Sequence, residues 1–444
     1  MDIEKVKKHL QDAIQCETIS YSDRSRIDFK EYDKFLKVIK KNYPLIHKKA
    51  EITKILDYSV IFHIKGSSDK KPIALMGHYD VVPVSENWKT NPFGAEEING
   101  YIYGRGTLDM KGHLIAFMEA TESLLEEGYG FERDVYLLLG HNEETGSAVE
   151  DSGARNTMEY LKSKGIAFYS VMDEGGAFID GKAFGIDGVI AMIGVGEKGY
   201  LDVELSAKQN GGHASMPPHR SALFEVFEAA SKMESDKFKL DFNEATEAMF
   251  DALVPHMNSK MKFVFMNRKR LKPLVLKAMA SDPKTAAIVR TTSVMTMAQG
   301  SKAPNVLPQI AKVIINCRIV PNESVDEVIQ RIKTRVGEKI EVKALQSTEP
   351  TSISPTNHPS FIAIKDAIKT VYPNFKATAP YLMIAATDSR LYHGLAEGVY
   401  RINPFESAYA DLDTVHADDE RVSLDSYYKG IEFFKVILKN ASKV

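Results

Sequence analysis

Residues 72–80 read Pro-Ile-Ala-Leu-Met-Gly-His-Tyr-Asp, a short apolar run that stops at an imidazole and a carboxylate. The pattern occurs twice more. Residues 135–139 (Val-Tyr-Leu-Leu-Leu) lead to Glu143-Glu144, and residues 168–172 (Phe-Tyr-Ser-Val-Met) lead to Asp173-Glu174. Short apolar runs of this kind read as strands buried on both faces, as in a parallel sheet. Open α/β sheets bind ligands beyond the carboxyl ends of their strands, so polar residues that follow strand after strand converge on one crevice. Asp109, framed by Gly104, Gly106 and Gly112, and His416, in Val415-His416-Ala417-Asp418, complete the set. Two histidines and several carboxylates, with no cysteine, make a nitrogen–oxygen donor set suited to zinc or a similar divalent ion.

Outward from these runs the chain alternates strand and helix. Helix-like periodicity covers 2–15 and 30–41, and strands are expected between about 50 and 84. A helix over 113–127 ends at Gly128, a strand follows over 135–140, then a helix near 154–163 and a strand over 167–172. The character changes near Gly196. Leu201 to Leu205 alternates with period two, as a half-exposed strand does. A helix over 221–234, strands over 290–298 and 311–320, a helix over 324–336 and a strand over 339–344 follow. Strand–helix–strand–strand–helix–strand is the ferredoxin-like order. Residues 236–288, rich in Lys, Met and Phe, read as a helical insertion. The expected fold is α/β: a catalytic part with a mixed sheet between helices, formed by 1–196 and 346–444, and an inserted ferredoxin-like α+β lid over 197–345.

At 444 residues the chain exceeds one usual hydrophobic core, which agrees with two units. A formal net charge of -3 gives no reason to expect nucleic acid or an anionic membrane as partner. The first fifteen residues lack the apolar core of a secretory signal, and no stretch is apolar for long enough to span a bilayer. A cytoplasmic location is the default expectation. Cys16 and Cys317 are expected as reduced, buried thiols.

On a strand, side chains two apart share a face, so His78 and Asp80 point the same way and one can ligate a metal while the other orients it. Adjacent Glu143 and Glu144 allow one to coordinate and the other to act as a base. The glycines about Asp109 read as a sharply turned, closely packed backbone, and Asp109 stands where the third glycine of a dinucleotide-binding pattern would be.

In order, the blocks Gly-His-Tyr-Asp-Val-Val-Pro-Val (77–84), Gly-Arg-Gly-Thr-Leu-Asp-Met-Lys-Gly (104–112), Asn-Glu-Glu-Thr-Gly-Ser (142–147), Asp-Glu-Gly-Gly (173–176), Gly-Gly-His-Ala-Ser-Met-Pro (211–217), Asn-Val-Leu-Pro (305–308) and Val-His-Ala-Asp-Asp-Glu (415–420) resemble a family of di-zinc metallopeptidases. Its members include aminoacylase, acetylornithine deacetylase, succinyl-diaminopimelate desuccinylase and glutamate carboxypeptidase. The insertion and Thr387-Asp388-Ser389-Arg390-Leu391-Tyr392 are most similar to the Gly-X carboxypeptidase and N-acyl-amino-acid hydrolase branch.

The resemblance implies hydrolysis of an amide bond beside a free α-carboxylate, in a dipeptide, a C-terminal residue or an N-acyl amino acid. It implies two divalent ions, zinc first, with cobalt or manganese as alternatives. His78, Asp109 and Asp173 would hold one ion. His416, Glu144 and the same Asp109 would hold the other. Asp80 would orient His78, Glu143 would be the general base, and the Asp109-Met110 peptide would be cis. Asn305 and Arg318, with Arg390 as a further candidate, would grip the substrate carboxylate, and His213 would polarise the scissile carbonyl. The lid is also where a homodimer would form.

Asn142 departs from the family's usual Asp, at a position that is not a ligand. Glu174 is the alternative to Asp173, which aligns better. Asp418, Asp419 and Glu420 read as surface charges or partners of ligands. The competing function is a metal-binding scaffold or sensor without catalysis, against which the retained Glu143 argues.

Overall fold

The computed structural model describes residues 2–146, 151–235, 237–406 and 411–442. Its largest sheet has nine strands, in the order Ala50–Ile55, Ser59–Ile64, Val135–Gly140, Ile73–His78, Ser170–Asp173, Val399–Arg401, Val189–Glu197 and Ala377–Met383, with Ala177–Asp180 paired to Val189–Glu197. The sheet is mixed. Ile73–His78 runs parallel to both its neighbours, whereas the Ala50–Ile55 and Ser59–Ile64 edge is antiparallel.

All six residues of Ile73–His78 are buried, as a strand covered on both faces requires. Its alternate side chains feed two cores. Ile73 and Leu75 join the layer made by helices Ile3–Ile14, Phe29–Asn42, Lys111–Glu126, Pro359–Val371 and Leu424–Ala441. Ala74 and Met76 face the layer that contains Leu161, Tyr392 and Phe168. The helix Gly153–Ser163 in that second layer begins where the Ser152 hydroxyl accepts from the Arg155 amide at 3.2 Å. The strand expected to run to Val84 stops at His78, and only Val81 makes a further bridge, to Ile19. Beyond His78 the backbone leaves the ladder, the Val81 amide donating to the Thr18 carbonyl at 3.0 Å.

A second sheet holds four antiparallel strands in the order Thr292–Gln299, Ile310–Ile319, Gly199–Lys208, Glu341–Thr348. Numbered along the chain this is 2-3-1-4, the ferredoxin-like arrangement. Helices Ala222–Ser235 and Val325–Val336 close its core, around Leu201, Val203, Val226, Ile315 and Ile332. Ser324 and Glu327 form a reciprocal capping box at the start of Val325–Val336.

The insertion differs from expectation. Its helices Glu244–Leu253, Ser259–Met266, Lys272–Met279 and Pro283–Ala287 lie inside the four-stranded unit in sequence. Their buried Met249, Phe250, Phe265 and Leu276 instead pack with Ile190, Met192, Ala377 and Ala379 of the large sheet. Those strands lie at the far edge of the sheet and present apolar side chains that need cover. The chain therefore crosses between the two cores four times, near 197–199, 238–242, 288–292 and 348–351. Three of these crossings are tied together: the Glu197 amide donates to Thr351 Oγ1 at 2.8 Å, and buried Lys198 donates to the carbonyls of Ala287 and Arg290 at 2.7 and 2.8 Å.

Candidate active site

Val135–Gly140, Ile73–His78 and Ser170–Asp173 are parallel neighbours, so the loops after them open on one edge of the sheet. There they deliver His78, Glu143, Glu144, Asp173 and Glu174. Asp109 and His416 arrive from two other loops. His78 lies at the strand end with its Nδ1 donating to the main-chain oxygen of Asp80 at 2.9 Å, which leaves Nε2 to face the crevice.

Asp109 is central. Its Oδ1 is 3.2 Å from His78 Nε2 and its Oδ2 is 2.9 Å from His416 Nε2. Glu144 Oε1 is 3.2 Å from the same His416 nitrogen. Donor atoms of His78, Asp109 and Glu144 lie within 4.8 Å of one another, as do those of His78, Glu143 and Glu174. The peptide Asp109-Met110 is cis. The glycines around it serve close approach: Gly106 has φ +92°, and a Cβ on Gly112 would stand 2.1 Å from the Thr107 carbonyl oxygen.

Asp80, fully buried, ties the strand to the loop after Val135–Gly140. It accepts from the Ser20 hydroxyl at 2.7 Å and from the amides of Glu143 and Glu144 at 3.1 Å each. Its Oδ1 is 3.3 Å from His78 Nδ1. The carboxylate thus sets the two glutamates at least as directly as it sets the histidine. Asn142 explains its own departure from Asp. Its Nδ2 donates to the Asp151 carbonyl at 2.9 Å and its Oδ1 accepts from the Gly153 amide at 2.8 Å, a pairing that needs both a donor and an acceptor.

The electrostatics are those of an anion cluster seeking cations. Burial, with Asp388, Glu174 and Glu144 nearby, drives Glu143 well above the ordinary carboxylate range. Burial beside Asp109 and Asp173 does the same to Glu174, and burial beside Asp173 pushes Asp388 up to about 8. Burial also opposes the charge on Asp109, but hydrogen bonds from His416 and His78 outweigh it and hold that group low. His416, bonded to Asp109 and Glu144, is pushed up to about 10. Nitrogen and oxygen donors converging in this way, with protons standing where positive charge is needed, fit divalent metal ions.

At the Asp173-Glu174 pair the two carboxylates take different partners. Glu174 Oε1, not the Asp173 carboxylate, approaches His78, at 3.3 Å from Nε2. Asp173 Oδ2 instead accepts from the Ser389 amide at 3.0 Å. The adjacent residues alternate sides at the strand end, and the loop Thr387-Asp388-Ser389 has captured the inner one.

The residues expected on the lid have their own partners. His213 is exposed on the two-residue strand Gly212–His213, paired with Val306–Leu307, and its Nδ1 is 2.7 Å from Ser215 Oγ. Asn305 is beside it, its carbonyl accepting from Ala214 N at 3.0 Å. Arg318, on Ile310–Ile319, stacks on Tyr200 at 4.7 Å and donates to Asn316 Oδ1 at 3.3 Å. Among the described residues, no hydrogen bond or ion pair joins these three to the metal cluster. Arg390 donates to the Glu349 carbonyl at 3.0 Å and lies 3.9 Å from Glu197.

A family model for the peptidase family M20/M25/M40 matches residues 74–440. A probable carboxypeptidase S-like 2 of Dictyostelium discoideum is 32% identical over 451 residues, covering 100% of this chain and 86% of that protein. The chain belongs to peptidase family M20/M25/M40. This M20 peptidase is also 32% identical to the N-fatty-acyl-amino acid synthase/hydrolase PM20D1 of Mus musculus, over 98% of this chain and 88% of that one. Its fold superposes on the M20 family metallo-carboxypeptidase Sso-CP2 of Sulfolobus solfataricus with a TM-score of 0.72 at 23% identity, over the whole of both chains. It is an enzyme, a metallopeptidase, and the family implies divalent metal ions, which the clustered donors could hold.

Two residues of this M20 peptidase escaped the sequence reading. Asp388 is a buried carboxylate facing the cluster, recognisable only by its block similarity. Glu420, read as a surface charge or a partner of ligands, is fully buried. Its position four residues after His416 was the available signal. No helix among the described residues is long and apolar enough to cross a membrane.

Proposed function

We propose that this M20 peptidase hydrolyses the amide bond next to a free α-carboxylate in a small substrate, using two zinc ions. The observation that carries the reading is the Asp109 carboxylate, one oxygen toward His78 and the other toward His416. The names of the relatives, carboxypeptidase and N-fatty-acyl-amino acid hydrolase, support a C-terminal residue or an N-acyl amino acid as the substrate class. In this reading, His78, Asp109 and Glu174 or its neighbour Asp173 hold one ion, and Asp109, Glu144 and His416 hold the other. When bound, the ions supply Lewis acidity and lower the pKa of water toward neutrality.

The chain's own groups do the rest. Glu143, held by its amide on Asp80, takes the proton from attacking water and returns it to the leaving nitrogen. Arg318, with Asn305 and Arg390, binds the substrate carboxylate. His213 donates to the oxygen that gains charge in the transition state. Because no hydrogen bond or ion pair among the described residues joins His213 or Asn305 to the cluster, catalysis needs closure of the four-stranded unit over substrate, or a second copy. A homodimer is supported by that unit's edge strand, Thr292–Gln299, where Val294 and Met297 are exposed, and by exposed Phe224 and Phe227 on the adjoining helix. A cytoplasmic location is supported by Cys16 and Cys317, both buried and unbridged.

The test is product analysis on a panel of dipeptides, short peptides and N-acyl amino acids, each with a free and an amidated carboxyl end, with metal content measured on the same sample. Cleavage of the free-acid members with two zinc ions per chain is expected. Equal cleavage of amidated substrates refutes the α-carboxylate requirement, and full activity after chelation refutes the metal requirement.

A further inference from the structure

Outside the ligand set, one buried carboxylate touches the site's framework at more points than any catalytic function assigned above accounts for. Glu420 Oε1 accepts from three donors of one loop: the amides of Gly106 at 3.1 Å, Leu108 at 2.8 Å and Asp109 at 3.2 Å. Its Oε2 receives Arg105 Nη1 at 2.7 Å, and its own carbonyl accepts from Gly104 N at 2.8 Å. Glu420 has no exposed surface and Arg105 is only 2% exposed.

The residue sits four positions after His416, in a segment whose backbone is fixed in unusual conformations, with φ +59° at His416 and +58° at Asp419. Asp418 and Asp419 anchor the same segment, accepting from Ser85 Oγ at 2.5 Å and from Lys89 N at 2.9 Å. Immediately beyond, Arg421–Ser423 pairs antiparallel with Tyr101–Tyr103, the strand that leads into the Gly104–Asp109 loop.

We propose that Glu420 is a positioning residue that locks the Asp109 loop to the His416 loop, setting the separation between the two sides of the metal centre. The inference rests on the reading that Asp109 and His416 hold metal. The physical case is that these groups come from distant stretches of chain and neither is on a strand of the large sheet. A bridging carboxylate must present both oxygens at fixed directions, and its rotation is set by the backbone from which it hangs. Three amides converging on a single carboxylate oxygen, including the amide of Asp109 itself, fix that backbone. The charge that this concentrates in the interior is matched by Arg105, which lies over the Trp88 ring at 5.3 Å. The acceptor at the three amides therefore acts on Asp109, while Arg105 makes burial of that acceptor tolerable.

The two functions separate by substitution. Glu420→Asp keeps the charge but withdraws the acceptor by one methylene. The double variant Arg105→Gln with Glu420→Gln removes the charge pair but leaves a carbonyl oxygen at the three amides. Metal-free proteins are titrated with Zn2+ against a chromophoric chelator, with their unfolding midpoints recorded, and Asp109→Ala is the control. Glu420→Asp is expected to bind zinc 10–100-fold more weakly, the usual effect of losing a partner that orients a ligand, and the double variant to stay within threefold of the parent.

A folded Glu420→Asp that binds zinc as the parent does overturns the proposal. So does a folded double variant that loses tenfold or more, since charge and not the amide clamp would then be what matters. If neither variant folds, the pair holds the fold and not the site, and the proposal fails. Parent-like zinc binding by Asp109→Ala marks a different failure, that of the metal reading itself.

Discussion

Asp80→Asn separates two ways in which His78 could be held. The substitution is isosteric, yet both oxygens of Asp80 are fully used as acceptors. Oδ1 receives the Glu143 amide, and Oδ2 receives the Glu144 amide and the Ser20 hydroxyl. An asparagine has one carbonyl oxygen, so whichever way it is turned an NH2 group meets an amide N–H. At least one bond in this buried network is lost and one donor left unmet, which costs about 1–3 kcal/mol. That is roughly one to two decades in an equilibrium constant, the same range expected when a ligand's orienting partner is removed.

The loss should appear as zinc affinity lowered about 10–100-fold, with kcat lowered as Glu143 shifts. The assay is zinc titration of the chelated protein by competition, paired with kcat on the best substrate of the panel. The structure also holds the seed of a contrary result. The nearest acceptor for His78 Nδ1 is the main-chain oxygen of Asp80, at 2.9 Å, and the substitution leaves it in place. Parent-like affinity and turnover in Asp80→Asn would show that this carbonyl suffices and would refute the argument from the carboxylate.

Glu143→Gln should retain both metals and lose about 10²–10⁴ in kcat, the usual contribution of a general base, whereas loss of a metal would assign Glu143 as a ligand. Arg318→Ala should raise KM for free-acid substrates by about one to two decades, for one lost charge-assisted hydrogen bond of about 1.5–3 kcal/mol; equal losses on amidated substrates would make Arg318 structural. The metal-free protein should lose stability as pH rises from about 4 to 8. Burial and neighbouring carboxylates raise Asp388 to about 8 and Glu143 and Glu174 well above 4.5 in the fold, so the folded state binds protons that the unfolded chain has released. Calorimetry of chelated protein at pH 5.5 and 8 checks this, and zinc should raise the midpoint more at pH 8, where its ligands shed protons more readily. A midpoint that rises with pH in chelated protein would refute the anion-cluster account.

Local pattern was enough to read much of the α/β arrangement. The unbroken apolar runs before His78, Glu143 and Asp173 read as strands covered on both faces, and the structure places them side by side and parallel. The helix expected over 154–163 occurs as Gly153–Ser163, and that expected over 113–127 as Lys111–Glu126. The resemblance of the ordered blocks named candidate site residues, and the structure brings His78, Asp109, Glu144 and His416 together because strand ends and loops converge on one edge of the sheet.

What remained for the tertiary structure shares one physical cause: it depends on contacts between segments far apart in the chain. The Met- and Phe-rich helices of 236–288 read correctly as helices. Only packing shows that they cover the far edge of the large sheet instead of the four-stranded unit whose sequence they interrupt. Block similarity favours Asp173 over Glu174, whereas in the fold the Ser389 amide, more than two hundred residues away, takes the Asp173 carboxylate and Glu174 faces His78. Glu420 reads equally as a surface charge or a partner of ligands, and only the fold shows that three amides and an arginine from residues 105–109 meet it in the interior. Periodicity and motif record what each segment is. Which buried donor satisfies which acceptor is settled only when the segments fold against one another.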